Sequence, residues 1–396
     1  MGPLQDIRIL DLTTVLMGPY ATSILGDMGA DVIKLEPPEG DLIRQVGPSR
    51  SGCMGPIFMH ANRSKRSIAV DLKTSAGRDV ALRLAATADV LVYNIRPKAM
   101  ERLGLGYEAV AAVRPSIIYL GAFGFGQDGP YADRPAYDDL IQTASAIPAL
   151  MAESGEEGPR FVPVNIADRA VGLHAANAIL AALLHRERTG EGQRIDVPMF
   201  ETMASLVLGD HLGGLTYEPP LDGGGYPRLL SRHRKPFRTR DGHLCVVLYT
   251  DRHWQAFFRL AGQDWRAADP RYATHASRIR HIDELNGMIA EILPSRTSAE
   301  WESTLGECDI PCMAVQTPAS LLENPHLVAT GFFESVPHAS EGQVKSMRVP
   351  SHWSRTQPAP GRLAPGLGQH SRELLLEIGL SDTEVDKLVN QRAVSE

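Results

Sequence analysis

Apolar and polar positions alternate in a regular cycle over residues 1–125. Residues 7–12 read as a buried strand, 20–28 as a helix stopped at Gly29, and 31–36 as a second strand ended by Pro37 and Pro38. Residues 67–71, 90–94 and 116–123 repeat the strand pattern, with helical patterns over 74–87, 99–103 and 107–113 between them. Short apolar runs bounded by Gly and Pro are strands, and strands alternating with helices build a mainly parallel, doubly wound sheet. Such a sheet binds its ligand in the crevice at the C-terminal ends of its strands.

The pattern changes further along. Residues 137–149 and 169–188 read as long helices, and 213–231, rich in Gly and Pro, as a linker or ligand loop. Residues 237–249 predict two strands around the turn 240–243, with helices over 254–261 and 282–293. The stretch 350–365 is Pro-rich and extended, and a last helical pattern covers 371–380. The fold class expected is α/β: a Rossmann-like parallel-sheet large domain over 1–200, a smaller α+β domain over 225–315, and a C-terminal segment, 316–396, that returns to the large domain.

Composition narrows the function classes. The 396 residues are 43% hydrophobic and 22% charged, the proportions of an ordinary globular protein. A net charge of -7 without a Lys/Arg block argues against nucleic acid as a partner. Four scattered cysteines (Cys53, Cys245, Cys308 and Cys312) make no disulfide framework and fit a reducing compartment. The opening stretch carries no secretory or acylation pattern, and the longest apolar run reads as too short and too interrupted to span a bilayer. A cytoplasmic protein with no membrane partner is expected. Cys308 and Cys312 stand four apart without a second pair at zinc-finger spacing and read as structural thiols, so no metal site is expected.

A dinucleotide site is tested and set aside. Glu36 stands where a ribose-binding acid would end the second strand, and 124–129 matches G-x-G-x-x-G by letter. The first turn lacks the glycines that a pyrophosphate needs, and the letter match runs into Pro130 without opening a helix.

Asp168 is the residue on which function turns. It stands at the mouth of the long apolar helix that runs to a basic turn at 185–188 and the stop Thr189-Gly190-Glu191-Gly192-Gln193. Asp is among the commonest N-cap residues, and the helix dipole would hold it ionised. An ionised carboxylate is also a nucleophile towards activated acyl groups. The two roles are compatible.

The ordered series of segments resembles the class III coenzyme A transferases, the formyl-CoA transferase-like or CaiB/BaiF family, over essentially the whole chain. The matching residues are Ile9-Leu10-Asp11-Leu12-Thr13 with Gly18-Pro19, the Leu-Gly-Asp-Met-Gly-Ala-Asp-Val-Ile-Lys-Leu-Glu run over 25–36, and residues 62–73, 88–94 and 124–130. Tyr137-Asp138 and the Asp168 helix through 189–193 complete the set.

The resemblance implies that Asp168 is the nucleophile and that coenzyme A passes between two carboxylic acids through an aspartyl anhydride and an aspartyl-CoA thioester. Acyl-CoA thioesters are then substrates, and no permanently bound cofactor is implied. Tyr137 would lie near the reacting thioester as a donor; its alternative is a core tyrosine. Val70, Asp71, Leu72 and Lys73 match a segment lining the adenosine end, and Asn94, Ile95 and Arg96 a second CoA-lining segment. Arg102 matches an arginine near the nucleotide phosphates, although solvated faces are where most such residues sit. Thr14, Val15 and Leu16 fall on one active-site loop; Gly223, Gly224 and Gly225 match a glycine-rich loop over the site, or form a plain linker.

The chain also departs from the formyl-CoA transferases. Thr14 replaces a His, Leu16 a Gln, and Pro37 a CoA-binding Arg, for which Arg44 is a candidate substitute. The apolar first loop leans towards a larger or less polar acyl group. Arg228, Arg232, His233 and Arg234 are candidates for clamping a diacid, against the plain alternative of a solvated basic turn, and a small carboxylic acid, with a dicarboxylate as one candidate, is the expected acceptor. The rivals are an alpha-methylacyl-CoA racemase-like isomerase, which would carry His-Asp where this chain has Tyr137-Asp138, and a non-catalytic CoA-binding protein. By resemblance the assembly is an interlocked homodimer, with long linkers around 200–225 and 315–345.

Overall fold

Five strands follow the alternation read from the sequence, β1 (Arg8–Leu12), β2 (Asp31–Glu36), β3 (Lys65–Val70), β4 (Val90–Tyr93) and β5 (Ile118–Phe123), and a sixth, β6 (Gln193–Pro198), joins them. In this computed structural model, which describes residues 2–155 and 158–396, they form one parallel sheet in the order β3-β2-β1-β4-β5-β6. The short strand Val394–Ser395 pairs antiparallel with the outer edge of β3. β4 and β5 are buried along their whole length, as continuous apolar strands covered on both faces should be, and β3 is equally buried although Lys65 and Arg66 open it, each paired with an acid. β6 was not foreseen, because its sequence Gln-Arg-Ile-Asp-Val-Pro is polar at alternate positions, as an edge strand permits.

The chain reverses direction across the sheet between β1 and β4. Strands added before the switch lie on one side of β1 and those after it on the other. The loops leaving β1 and β4 therefore diverge and open a crevice there.

The α-helices before β6 are α1 (Met17–Asp27), α2 (Pro56–Ala61), α3 (Ser75–Thr87), α4 (Pro97–Arg102), α5 (Tyr107–Val113), α6 (Asp138–Ala144), α7 (Ile147–Ser154) and α8 (Ile166–Thr189). The single helix expected over 137–149 is two. Pro148 has no N–H to give a helical partner, and Ala146 turns left-handed at φ 69° to separate α6 from α7. At 24 residues, α8 is by composition long and apolar enough to cross a bilayer, contrary to the expectation from its sequence. It packs here against α1, β5 and β6 as a core helix.

Contacts divide the chain into two units. One comprises Met1–Ser145, Pro163–Ser205 and His326–Glu396, and holds the parallel sheet. The other comprises Ala146–Val162 and Leu206–Pro325. It has a three-stranded antiparallel sheet (Phe237–Arg238, His243–Val246 and Cys312–Ala314) over a core that includes Trp254, Phe257, Leu285 and Trp301.

Candidate active site

The crevice at the switch point is a cavity of about 420 Å³. Its walls are residues 14–17 after β1, Asn94, Ile95 and Arg96 after β4, the segment that leads into α6, and Asp168 on α8. Sequence-distant residues meet here because parallel strands deliver all their C-terminal ends to one edge.

Close helix contact brings Asp168 to the crevice. A Cβ on Gly18 would lie 2.4 Å from the Thr13 side chain, and one on Gly172 would lie 2.8 Å from the Met17 carbonyl oxygen. Glycine at 172 lets α8 lie against the start of α1, and glycine at 18 lets α1 start close beside Thr13. The Arg169 guanidinium stacks over the Tyr20 ring at 4.4 Å from its centroid, across the same seam.

Asp168 is the third residue of α8 and not its cap. Asn165 occupies the cap position, without a side-chain hydrogen bond to the helix. The Asp168 backbone N–H instead donates to Asp138 Oδ1 at 2.9 Å. Asp138 is buried and takes a second bond at 2.6 Å from Gln142 Nε2, one turn along α6. The expected effect of the helix dipole is also overridden. Burial, with the charge of Asp138 adding to it, pushes the Asp168 carboxyl up to about 7, against the pull of Arg169. Near neutral pH the acid is present in both forms, and its ionised form is poorly solvated.

The loop after β1 is fixed by side chains. Asn94 brackets Thr14, accepting from its N–H at 3.0 Å and donating to its carbonyl at 2.8 Å. The amide expected to face coenzyme A is thus committed to the loop. The N–H groups at the start of α1 have no side-chain cap, and Leu16 and Met17 line the cavity. Thr14, Val15, Leu16, Asn94, Ile95, Arg96, Tyr137 and Asp168 therefore come together. Tyr137 is 67% exposed, which removes its reading as a core tyrosine.

Other expected residues lie elsewhere. Val70 is fully buried and pairs with Val394, so its side chain belongs to the core. Asp71 and Leu72 are partly buried, and Lys73 is exposed in the turn after β3, where its N–H is held by Asp71 at 2.9 Å. Arg102 is exposed at the end of α4. Arg44 is no substitute for the arginine missing at Pro37: it is buried against Glu36 at 2.6 Å and over the Phe58 ring at 3.8 Å. The same pair accounts for Glu36.

Gly223, Gly224 and Gly225 belong to the smaller unit, where Asp222 Oδ1 accepts from the N–H groups of Gly214 and Gly224, both at 2.8 Å. Of the basic run, Arg228 and Arg234 line a cavity of about 240 Å³ in that unit. Arg134 and Gln127 also face the crevice and were not foreseen. Nothing local marks them, since both lie in an irregular segment between β5 and α6.

With this geometry in hand, the chain can be set beside known proteins. The model of CoA-transferase family III matches residues 4–371. The chain is 35% identical to the succinyl-CoA:mesaconate CoA-transferase of Haloarcula hispanica over 394 residues, 96% of this chain and 97% of that one. It is 33% identical to the succinate–glutarate CoA-transferase of Agrobacterium fabrum, covering 95% and 96%. A solved CaiB/BaiF family protein from Brucella suis superposes with a TM-score of 0.80 at 30% identity, covering 95% of this chain and 99% of that one.

Proposed function

The chain belongs to CoA-transferase family III and is an acyl-CoA:carboxylate CoA-transferase, and from this we propose that Asp168 is its nucleophile. The Asp168 carboxylate attacks the thioester carbonyl of a donor acyl-CoA and expels CoA thiolate, leaving an acyl-aspartyl anhydride. The thiolate attacks the aspartyl carbonyl, releasing the donor acid and forming an aspartyl-CoA thioester. The acceptor carboxylate attacks that thioester and expels the thiolate again. The thiolate then takes the acceptor acyl group and frees Asp168. Each step exchanges one acyl bond for another, so no net bond energy has to be supplied.

The observation that carries this reading is a half-buried carboxylate in the switch-point crevice, beside uncapped N–H groups at the start of α1. Such donors stabilise the oxyanion of each tetrahedral intermediate, and a carboxylate poorly stabilised by its surroundings is a stronger nucleophile once ionised. Tyr137 is the further donor towards the thioester. Coenzyme A lies along the C-terminal edge of the sheet, with Ile95 and Arg96 nearest the reacting end and the turn 71–73 and Arg102 further out.

For substrates, we infer succinyl-CoA as donor and a small dicarboxylate as acceptor, supported by the names of the relatives above. Arg96 and Arg134 are the cations of the crevice suited to the distal carboxylate. The working form is an interlocked homodimer in the cytoplasm. Leu173 and Leu184 on α8 stay about half exposed, which suits helix faces covered by a second copy.

The test is hydroxylamine trapping during turnover with succinyl-CoA and a panel of dicarboxylates. A hydroxamate at Asp168, found by peptide mass spectrometry and lost with exchange activity in Asp168→Ala, is the expected result. Exchange that proceeds in Asp168→Ala, or turnover that never marks the residue, would sink the assignment and reopen the isomerase and non-catalytic readings.

A further inference from the structure

The active-site loop is built against its own conformational preference. Val15 lies at φ 69°, in the left-handed region that a β-branched residue rarely adopts. Three consecutive N–H groups in this loop go to side chains: Thr13 to Asp11 at 2.9 Å, Thr14 to Asn94 at 3.0 Å, and Val15 to Asp41 at 3.1 and 3.2 Å. Asp41 is in turn held by Lys34 at 3.0 Å, with both side chains fully buried. The Lys34 ammonium also donates to the Thr13 carbonyl at 2.9 Å. Neither Asp41 nor Lys34 lines the cavity.

A buried ion pair contributes little net stability compared with apolar residues of the same shape. This one touches the backbone on both sides of Thr14, at the point where the strained residue precedes the start of α1. Strain persists only where the surroundings over-determine it, and it gathers at working sites.

We propose that Asp41, fixed by Lys34, is a positioning residue for acyl transfer: it holds Val15 left-handed and so sets the start of α1 against the acyl group on Asp168. The inference rests on the reading of Asp168 as nucleophile. It concerns the rate of the chemical step and not the binding of coenzyme A.

The experiment replaces the pair together, Lys34→Met with Asp41→Leu, which leaves no unpaired buried charge and removes the acceptor for the Val15 N–H. The rate of Asp168 acylation is read in a single turnover with succinyl-CoA and hydroxylamine, beside the affinity for CoA. A fall of at least 30-fold in acylation, with CoA affinity within threefold of wild type, is expected. Adding Val15→Gly supplies a residue that turns left-handed freely. The loss caused by the pair, measured in that background, is expected to shrink at least fivefold.

An acylation rate within threefold of wild type overturns the proposal, as does an equal loss in both backgrounds. If the pair variant does not fold, Asp41→Glu, which keeps the charge but displaces it, is read in the same two backgrounds against the same outcomes. Wild-type protein that turns over without labelling Asp168 refutes the nucleophile, whatever the variants do. Labelled wild type with undiminished variants refutes the role of Asp41 alone.

Discussion

The backbone N–H of Asp168 is held by the carboxylate of Asp138 at 2.9 Å, so the candidate nucleophile is anchored by a group whose like charge opposes its ionisation. Position and ionisation are thereby coupled. The bond fixes the first turn of α8 at the cavity, while burial and the neighbouring charge keep the Asp168 carboxyl near 7.

The first expectation is a pH profile. With Asp168 as the proposed nucleophile, only its ionised form attacks, so kcat/KM should rise with pH through about 7 and level off above it. Asp138→Asn still accepts the Asp168 N–H but carries no charge. Its inflection should move to lower pH without reaching the ordinary carboxylate range, because burial, the larger cause, is unchanged. Initial rates from pH 5.5 to 9 test this, and an unmoved inflection counts against the coupling.

The second concerns stability. The folded state raises the Asp168 pKa, so the stability this group contributes is full below its unfolded value near 3.8 and is lost as pH rises through about 7. Asp168→Asn, uncharged and nearly isosteric, should therefore be more stable than wild type at pH 8, by about 1–3 kcal/mol after allowance for solvent screening. The gain should be smaller at pH 5 and vanish only as pH falls below the unfolded value near 3.8. Thermal unfolding at the two pH values decides it.

Much of this was legible in the sequence, and the misses have physical causes. The strands around the crevice and the helix that carries Asp168 follow from apolar periodicity and glycine punctuation, while the strand order that makes the switch point does not. What periodicity cannot give is the direction of a side chain. Val70 ends its strand facing the core, and Arg44, close in sequence to the missing arginine, turns inward to Glu36. Lys34 in the middle of an apolar strand was a visible oddity. A buried lysine needs a carboxylate, and the structure supplies Asp41 from among the several acids near it in sequence.

The third expectation follows from Asn94. Its amide makes both hydrogen bonds to the Thr14 backbone, so Asn94→Ala releases the loop and leaves two backbone groups unpaired. A misplaced loop costs rate more than binding. A fall of roughly 10–100-fold in kcat is expected, with a smaller change in KM. Steady-state kinetics with succinyl-CoA separate the two, and a change in KM alone would return Asn94 to a CoA-contact role.

The fourth uses the seam between α1 and α8. In Gly172→Ala the added methyl meets the Met17 carbonyl oxygen at 2.8 Å, a backbone atom that cannot rotate away. The helices must part, at about 1–3 kcal/mol by the usual cost of overpacking. Because Met17 lines the cavity and Asp168 lies one turn before Gly172, activity should fall further than the loss of folded protein explains. Denaturant midpoints measured beside specific activity test this.

The last expectation separates two readings of Arg44. As a stand-in for the CoA-binding arginine missing at Pro37, its removal would raise KM for acyl-CoA and leave the fold alone. The structure instead commits it to the interior, through a bond at 2.6 Å to buried Glu36, a second at 3.1 Å to the Pro365 carbonyl, and a stacked contact on Phe58. Arg44→Ala strands the Glu36 charge in the interior, which costs about 3–5 kcal/mol. Arg44→Met with Glu36→Gln removes both charges while keeping most of the volume, and should recover most of that loss. Unfolding midpoints should therefore drop in the single variant and return in the double, while KM for acyl-CoA in the folded fraction stays near wild type. A KM that rises in both variants, with stability intact, would give Arg44 back to the ligand.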